Sequence, residues 1–406
     1  MLSIHGGTPL RQKPFHPWPV HGPEDEQALM QVLHSGQWFM GERIKEFETE
    51  FAAFQQASYG IGLSSGTTAL QVALETVGLQ PGDEVIVPAY TFVATASSVV
   101  SCGGIPIFVD VEPGTYNMDP VAAAGAITSQ TRAIIAVHIG GRPADLDAIL
   151  DIARPRCIRV IEDACQAHAA AWKGQRVGAI GDLGTFSFQA SKNLCAGEGG
   201  FITTNDRELH ERAWSIHNCG RSPQGAWYEH PLIGSNYRIS EFHAALLLSQ
   251  MRNLETQTAT RTQRAAQLTE RLHDIDGVDP LEPDPRVTTH ANHLFIMRYR
   301  ADAFGGVPRD RFLEALRAEG IPVAAGYRPL YREQAFDATF AQRPFHSAYF
   351  GGKPQYGQVS CPVTERAAAA EAVWLPQPVL LGPEEDIEDV AAAMRKVQEH
   401  AGSLRE

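Results

Sequence analysis

The sequence predicts an α/β protein, with a large domain built on a mostly parallel seven-stranded sheet flanked by helices and a smaller α+β domain at the C-terminus. Two observations predict this class. From about residue 60 to residue 215, short runs rich in β-branched residues alternate with amphipathic stretches of helical length, as is typical of parallel α/β sheets. After Ser240 the pattern changes to a long helical run and then to short mixed segments.

Seven apolar runs are predicted to form the strands of the large sheet. Helices are expected between them, and the best defined covers residues 67–77, where Leu70, Leu74 and Val77 fall on one face. Gly78 is the expected cap, because glycine readily adopts the left-handed conformation that ends many helices. The predicted strands are residues 59–63, 84–87, 105–109, 133–138, 158–162, 185–188 and 201–204.

The remaining third of the chain is predicted to form the smaller domain. Residues 241–275 have the periodicity of one long helix, and residues 384–399 are predicted to be the last helix. We expect a large domain over residues 1–255, including the N-terminal segment, and a small domain over residues 256–406. Residues 327–358 are rich in Tyr, Phe, Pro and Gly and are predicted to be a loop, either on the surface or beside a site.

The composition is that of a globular protein. Hydrophobic residues make up 44% of the 406 residues and charged residues 20%, which excludes disordered and fibrous classes. The 34 Lys and Arg against 47 Asp and Glu give a net charge of −13, so the chain lacks the basic field that favours nucleic acid. We therefore expect no nucleic-acid partner.

Several segment types are also missing from the sequence. No apolar stretch approaches the roughly 20 residues that span a bilayer, and the N-terminus does not resemble a signal peptide. The six cysteines are scattered without a Cys-x-x-Cys pair, which argues against a metal site and a disulfide framework. The sequence thus predicts a cytoplasmic protein with no membrane partner and no metal.

Polar residues that follow the predicted strands are the first candidates for a site, because ligands of open parallel sheets bind at the carboxyl ends of the strands. Ser65, Gly66 and Thr67 stand between the first strand and the first helix of the sheet. Small residues at a helix start let backbone N–H groups approach an anion, and the helix dipole favours negative charge. A phosphate could bind there, although the same residues also suit a plain helix cap.

Two further segments carry charged residues at strand ends. Asp163 follows an apolar strand, where its carboxylate could pair with a cationic ring nitrogen or cap a helix. His168 is interpreted as a structural residue. Lys192 lies five residues after Ser187 and just before a glycine-rich turn. A desolvated lysine shifts towards its neutral form and can then form a Schiff base, whereas most lysines are simply solvated.

Together the three segments fit one ligand, a phosphorylated aromatic aldehyde. The phosphate would lie at Gly66, Thr67 and Ser187, the aldehyde would bond Lys192, and the ring nitrogen would face Asp163. Pyridoxal 5'-phosphate (PLP) has these groups, and it acts as an electron sink when a lysine and an acidic residue hold it in this way.

The same residues, with others, resemble the DegT/StrS sugar aminotransferase family of fold type I PLP-dependent enzymes. The matching motifs follow the order of that family and cover most of the chain. They are Ser64-Ser65-Gly66-Thr67, Tyr90-Thr91-Phe92, Val109-Asp110-Val111, Tyr116-Asn117, Ala136-Val137-His138, 162–168, Phe186-Ser187-Phe188, Lys192-Asn193, 197–200, Asn236-Tyr237-Arg238 and Trp374-Leu375-Pro376.

The resemblance implies a role for each matching residue. Lys192 would bind the cofactor and shuttle protons, and Asp163 would keep the pyridine nitrogen protonated. Gln166 would reach the phenolic oxygen of the ring, and Phe92 would stack on one ring face. The residues expected at the phosphate are Ser65, Gly66, Thr67, Ser187 and, from the neighbouring subunit, Asn236, which implies a homodimer with shared active sites.

The resemblance also narrows the expected substrates. Many family members carry histidine where this chain has Gln189. With glutamine at this position, the chain is more similar to the branch whose members act on cyclitol ketones of the scyllo-inosose type or form aminohydroxybenzoate. We expect transfer of an amino group from glutamine or glutamate to the ketone of a sugar or cyclitol. Tyr327, Arg221 and the partner's Arg238 are candidate substrate contacts.

Alternatives remain at this point. The ketone could belong to a nucleotide-linked sugar, or the enzyme could resemble an aminohydroxybenzoate synthase. A deoxysugar dehydratase would replace the lysine with histidine, and the chain keeps Lys192. A non-catalytic sensor with the same fold would give no amino transfer with glutamine.

Overall fold

The structure is a computed structural model that describes residues 1–336 and 355–405. Seven strands form the large sheet in the order β1-β9-β8-β5-β4-β2-β3. All seven predicted strands are present, with bounds that differ by at most two residues. They are β1 (Tyr59–Leu63), β2 (Glu84–Pro88), β3 (Ile105–Val109), β4 (Thr131–Val137), β5 (Arg159–Asp163), β8 (Leu183–Ser187) and β9 (Gly200–Thr204).

The sheet is parallel except at one strand. Strand β9 runs antiparallel to both of its neighbours, β1 and β8, whereas the other pairs are parallel. Every residue of β2, β8 and β9 is buried, as expected for strands covered by helices on both faces. The predicted mostly parallel α/β sheet is therefore confirmed.

Helices cover the two faces of this sheet. Two of them, α1 (Pro23–Ser35) and α2 (Glu42–Phe54), precede the sheet in sequence, and Phe47 and Phe51 of α2 pack against Phe188 and Phe201. The others follow strands of the sheet. They are α3 (Gly66–Thr76), α4 (Ala94–Ser101), α5 (Pro120–Gly125), α6 (Leu146–Ala153) and α7 (Arg207–His217).

The predicted long helix over residues 241–275 is wrong, because two helices occupy this stretch. Helix α8 (Glu241–Met251) ends at Arg252, and α9 (Leu254–Leu272) begins two residues later. The apolar side chains of α8 pack into the core beneath the large sheet, whereas those of α9 pack largely into the C-terminal core. The apolar periodicity continues across the break, so the sequence pattern does not reveal where one helix ends and the next begins.

Glu241 joins two of these helices. Its side chain, which is buried, accepts hydrogen bonds from the backbone N–H groups of Gly41, Arg43 and Ile44 at distances of 2.8, 3.0 and 3.1 Å. The first N–H groups of a helix lack partners within the helix. Glu241, at the start of α8, therefore caps the start of α2.

The C-terminal part contains a second sheet with helices packed on it. The last helix, α12 (Glu384–Glu399), has the predicted bounds, and its first turn carries Glu384, Glu385 and Asp386, which suit the positive end of the helix dipole. The three strands of this sheet have the order β10-β12-β13. The elements are β10 (Val278–Pro280), β12 (Leu294–Tyr299), α10 (Arg309–Ala318), α11 (Pro362–Arg366), β13 (Ala372–Pro376) and α12 (Glu384–Glu399).

A third, small sheet connects the two parts of the chain. Strands β6 (Ala171–Trp172) and β7 (Gln175–Arg176) follow β5, and β11 (Val287–Thr289) pairs with β6. The N-terminus also reaches the C-terminal part, where Leu2 lies in the C-terminal core and Arg11 bonds Asp386 at 2.7 Å. The division at residue 255 remains a prediction.

The predicted loop over residues 327–358 is described only at its two ends. Short 3-10 helices lie at Leu330–Arg332 and Tyr356–Gln358, and residues 337–354 are outside the described part. Tyr356 packs against Phe108 of β3 with ring centroids 5.1 Å apart. The described ends of this segment therefore lie on the large domain.

Candidate active site

A cavity of about 580 Å³ lies at the carboxyl ends of the central strands of the large sheet. Nine of the twelve residues predicted for the site line it: Ser65, Gly66, Thr67, Phe92, Asp163, Gln166, Ser187, Lys192 and Tyr327. Its wall also includes Thr91, Gln189, Glu198, His293 and Trp374. The fold thus brings together segments that lie far apart in the sequence.

The register of β1, β9 and β8 sets the first wall of the cavity. Gly200 of β9 pairs with Leu63 at the end of β1 and with Ser187 at the end of β8. A Cβ at Gly200 would lie 2.1 Å from the backbone oxygen of Ser65, so only glycine permits this approach. The start of α3 therefore lies directly against the end of β8.

Ser65 acts as the N-cap of α3. Its Oγ accepts a hydrogen bond of 3.1 Å from the backbone N–H of Thr68, and Thr68 Oγ1 accepts one of 3.0 Å from the N–H of Ser65. The side chain of Ser65 thus caps the helix, which was one of the two interpretations of this segment. The N–H groups of Gly66 and Thr67, in the first turn, precede the first hydrogen bond of the helix, which Ala69 donates to Ser65.

Gly66 allows the helix start to pack closely on the next two segments. A Cβ at Gly66 would lie 2.7 Å from Cβ of Ser187 and 2.9 Å from Sγ of Cys165. Any side chain at this position would fill the space between α3 and Ser187. The absence of a Cβ leaves a small cradle that exposes backbone N–H groups beside a hydroxyl.

Asp163 ends β5 and is held by two donors. Thr95 Oγ1 donates a hydrogen bond of 2.8 Å to Oδ2, and the backbone N–H of Cys165 donates one of 3.3 Å to Oδ1. Thr95 is fully buried on α4 and lies 3.1 Å from the hydroxyl of Thr91. The sequence analysis missed Thr95; the only signal for it is that two threonines four residues apart follow strand β2.

Lys192 follows β8 in a turn whose backbone N–H bonds the carbonyl of Gln189 at 2.9 Å. Desolvation by burial lowers the pKa of Lys192, and the carboxylate of Asp163 acts in the opposite direction. The lowered pKa favours the neutral amine. Lys192 is therefore the kind of lysine that can act as a nucleophile or a proton carrier at neutral pH.

Gln166 connects the large domain with the C-terminal part at the cavity. Its Oε1 accepts a hydrogen bond of 2.7 Å from the N–H of Gly140, and its Nε2 donates one of 2.8 Å to the hydroxyl of Tyr327. The Tyr327 ring meets that of Trp374 edge-on at 4.7 Å and lies 6.3 Å from that of Phe92. Because the Tyr327 oxygen accepts from Gln166, its own O–H remains available to a ligand.

Three predicted residues lie apart from the cavity in this single chain. Arg221 and Arg238 both donate to Oδ1 of Asn218, at 3.1 and 2.8 Å. Asn236 is exposed and pairs with Asn218 through a β-bridge. The predicted roles of Arg221, Arg238 and Asn236 therefore remain predictions, and those of Asn236 and Arg238 require a second subunit.

His168 packs among aromatic rings beneath the cavity. Its ring centroid lies 5.8 Å from that of Phe186 and 5.7 Å from that of Phe188. Burial lowers the pKa of His168 to about 3, so the ring is neutral. The structural interpretation of His168 agrees with this position.

The described residues carry neither a membrane-spanning helix nor a metal-binding cluster. Within residues 1–336 and 355–405, no helix is both long enough and apolar enough to cross a membrane. Over the same ranges, no group of three or more His, Cys, Asp or Glu side chains is arranged to hold a metal ion.

Comparison with known proteins agrees with this arrangement. The model of the DegT/DnrJ/EryC1/StrS aminotransferase family matches residues 19–395. The chain is 36% identical over its whole length to L-glutamine:2-deoxy-scyllo-inosose aminotransferase of Streptoalloteichus tenebrarius, of which it covers 99%. It is 37% identical to L-glutamine:scyllo-inosose aminotransferase of Streptomyces griseus, with 98% of this chain and 97% of that protein covered.

A solved structure shows the same architecture. The crystal structure of 3-amino-5-hydroxybenzoic acid synthase superposes with a TM-score of 0.85 and 33% identity over 96% of this chain and all of that one. The fold is that of the fold type I PLP-dependent aminotransferases, and this protein is an aminotransferase. The chain belongs to the DegT/DnrJ/EryC1/StrS family, and the predicted resemblance is confirmed.

Proposed function

We propose that this aminotransferase binds pyridoxal 5'-phosphate and transfers the amino group of L-glutamine to the ketone of a polyhydroxylated cyclitol of the scyllo-inosose class. The observation that carries the proposal is the convergence of Lys192, Asp163, Ser187 and the first turn of α3 in one cavity. The choice of donor and acceptor is supported by the activities named for the relatives from S. tenebrarius and S. griseus.

The residues of the cavity suit the groups of PLP. The N–H groups of Gly66 and Thr67 and the hydroxyl of Ser187 are neutral donors for the phosphate, and the missing Cβ of Gly66 leaves the room it requires. Asp163 Oδ1 would take the ring nitrogen while Thr95 retains Oδ2. When bound, the cofactor supplies an electron sink for the bond changes at the α-carbon of the donor.

Lys192 and Asp163 divide the acid–base work. Burial lowers the pKa of Lys192 and so favours its neutral amine, which can take a proton from the substrate carbon and return it. The Asp163 carboxylate is buried and would keep a proton on the ring nitrogen of the cofactor through a charge-assisted hydrogen bond. Phe92 and Ser65 complete the cofactor contacts, Phe92 with its ring and Ser65 by fixing the start of α3.

The active enzyme is proposed to be a homodimer. The segment that holds Asn236 exposes large apolar side chains, with Ile233 at 94%, Tyr228 at 82% and Trp227 at 49%. Trp38 and Phe39 are also exposed near this segment, and the Arg238 guanidinium lies 5.0 Å from the Phe39 ring. Apolar groups of this size are costly to leave in water, so a second copy is a natural cover.

Mixed dimers test the shared site. Lys192→Ala and Asn236→Ala variants should each be nearly inactive alone, because each lacks one component at every site. After mixing and subunit exchange, a site with Lys192 from one subunit and Asn236 from its partner would be intact, so about a quarter of wild-type activity should return. If Asn236 serves its own subunit, no intact site forms and activity does not return.

The first test of the function is covalent trapping followed by the glutamine half-reaction. Borohydride should fix the cofactor to the peptide containing Lys192, and a Lys192→Ala variant should not be labelled. Lys45→Ala, which removes an exposed lysine on α2, is the control and should be labelled as the wild type is. In a separate sample that has not been reduced, glutamine should convert the absorbance of the aldehyde form to that of the amine form. Label at another lysine, or no conversion with glutamine or glutamate, would contradict the proposal.

A screen of ketones then separates the candidate acceptors. Inososes should restore the aldehyde spectrum of the amine-form enzyme faster than nucleotide-linked keto-sugars do. The solved neighbour named as 3-amino-5-hydroxybenzoic acid synthase makes an activity of that kind the second candidate. Turnover of a carbocyclic keto acid, with none of an inosose, would favour it. The predicted cytoplasmic location remains a prediction.

A further inference from the structure

His293 lies in the wall of the cavity, immediately before strand β12. It is 7% exposed, and it lines the cavity together with Leu294, Tyr327 and Lys192. The cofactor contacts described above do not use it. The protonation of its two ring nitrogens decides whether His293 can donate a hydrogen bond to a ligand or accept one.

The hydrogen bonds of Asn193 determine the tautomer of His293. Asn193 Nδ2 lies 2.7 Å from the backbone carbonyl of Ala291, and a carbonyl can only accept, so this atom of the Asn193 amide must be the nitrogen. The other atom is then the oxygen Oδ1, which lies 3.1 Å from Nδ1 of His293. Because Oδ1 can only accept, Nδ1 must carry the hydrogen.

The charge of the ring follows from its surroundings. Burial holds the pKa of His293 well below its ordinary value, and the positive charge of Arg261 acts in the same direction. The imidazole is therefore neutral and has a single proton, which is on Nδ1. Its Nε2 carries a bare lone pair and can accept a hydrogen bond but cannot donate one.

No donor among residues 1–336 and 355–405 occupies Nε2 of His293. The hydrogen bond to Asn193 uses only Nδ1. Nε2 is also absent from the set of fully buried side-chain atoms that lack a hydrogen-bond partner, so some of its surface is accessible. Nε2 is thus neither bonded within the chain nor sealed from solvent. Because the exposed part of His293 lines the cavity, Nε2 is a vacant acceptor on the cavity wall.

We propose that Nε2 of His293 accepts a hydrogen bond from a hydroxyl group of the ketone substrate and so selects polyhydroxylated acceptors over analogues that lack that hydroxyl. The inference deepens the proposed function and rests on it. A hydroxyl satisfies the lone pair, whereas a hydrogen, a carbonyl or a carboxylate at the same place leaves it unpaired or opposed by another lone pair. Sites built to hydrogen-bond a substrate hydroxyl discriminate strongly against analogues without it.

The Tyr327 hydroxyl complements His293 in the lining of the cavity. Tyr327 accepts from Gln166 and has its own proton to donate, whereas His293 can only accept. A substrate that presents both an acceptor and a donor, as a polyol does, meets both residues. Asn193, which determines the tautomer of His293, follows Lys192 directly in the sequence. The hydrogen bond between Asn193 and His293 therefore links the acceptor Nε2 to the segment that carries the reactive amine.

Monodeoxy analogues of the accepted ketone test the proposal. With wild-type enzyme in its amine form, removal of one particular hydroxyl should lower kcat/KM by roughly 10- to 100-fold, the range for a hydrogen bond in a closed site. His293→Phe keeps a ring but loses the acceptor, so it should react poorly with the full substrate and no longer distinguish that analogue. His293→Gln, whose amide oxygen can accept, should regain part of the discrimination.

Two other measurements separate this role from a structural one. Long-range ¹H–¹⁵N spectra of His293 in the holoenzyme should show the proton on Nδ1 from pH 6 to 9, and a proton on Nε2 would overturn the proposal. The glutamine half-reaction should be affected less by His293→Phe than the ketone half-reaction is. If His293→Phe slowed both half-reactions equally, His293 would act on the cofactor or on Lys192, and the proposal would be wrong.

The failure of this inference can be told apart from failure of the proposed function. Wild-type turnover of inososes with glutamine tests the function alone. The analogue series can be run on whichever ketone the screen identifies. If wild-type enzyme turns over that ketone and every monodeoxy analogue equally well, His293 does not select a hydroxyl, and the inference is wrong while the function stands.

Discussion

Thr95 and Asp163, which are 68 residues apart in the sequence, meet through a hydrogen bond of 2.8 Å from the Thr95 hydroxyl to Oδ2 of the Asp163 carboxylate. Both side chains are buried. This bond fixes which oxygen of Asp163 remains for a ligand. In the proposed function Thr95 is thus a positioning residue, which would act on the cofactor through Asp163.

Thr95→Val should weaken cofactor binding without unfolding the protein, because valine keeps the shape but leaves Oδ2 of Asp163 without its donor. Hydrogen bonds to charged groups contribute about 1.5–3 kcal/mol, so we expect the Kd for PLP to rise roughly 10- to 100-fold. Fluorescence titration of the apoenzyme measures it. Thr95→Ser, which retains the hydroxyl, should stay within a few-fold of wild type, and equal losses in both variants would contradict the prediction.

Gly66→Ala should damage the phosphate cradle. The new Cβ would lie 2.7 Å from Cβ of Ser187, so either α3 or the end of β8 must shift. We expect at least a tenfold loss of affinity for PLP and for inorganic phosphate, both measured by calorimetry. Gly125→Ala is the matched control, since a Cβ at Gly125 meets no atom within 4 Å, and it should bind as the wild type does.

Tyr327→Phe should raise KM for the ketone about tenfold, because it removes the donor on one side of the cavity and leaves Gln166 Nε2 without that partner. The two half-reactions, measured separately by stopped-flow absorbance, should show the loss mainly with the ketone. Tyr331→Phe is the control on the same segment. Its hydroxyl bonds Glu365 at 2.6 Å and is outside the cavity lining, so it should alter stability by about 1 kcal/mol and leave KM unchanged.

Glu48→Gln should stabilise the protein at neutral and alkaline pH. Burial raises the pKa of Glu48 from 4.5 to about 7, with Glu241 also raising it and the N–H of Gly62 lowering it. The folded state therefore favours the protonated acid, and the wild type loses stability as pH rises from about 4.5 to about 7. The glutamine does not ionise and retains the acceptor for Gly62.

The free-energy gap between Glu48→Gln and wild type should widen over that pH interval and stay constant above it. The size of the pKa shift corresponds to about 3 kcal/mol, reduced to about 1–3 kcal/mol because Glu48 is only half-buried. Urea unfolding at pH 5 and pH 8 measures the gap. Glu50→Gln, at an exposed position of the same helix, is the control. A gap that narrows as pH rises would contradict the sign.

The sequence by itself determined the α/β class, the seven strands and most of the predicted site residues that line the cavity. Strands buried on both faces are continuous apolar runs, so their positions can be read without knowing their neighbours. The rule that ligands bind at the carboxyl ends of parallel strands then selected Ser65, Asp163, Ser187 and Lys192 from local sequence alone. Helix α12 was equally visible because its acidic start and apolar face are local features.

Only the tertiary structure decided which distant side chains act on these residues. The strand order β1-β9-β8-β5-β4-β2-β3 brings Thr95 to Asp163, and the packing of the C-terminal part against the large sheet domain brings Tyr327 to Gln166 and His293 to Asn193. The tertiary structure also decided the break between α8 and α9. The two helices have the same apolar periodicity, but their apolar side chains pack into different cores. Local patterns record burial but not the partner against which a side chain is buried, and the hydrogen bonds that set a tautomer or hold a carboxylate depend on that partner.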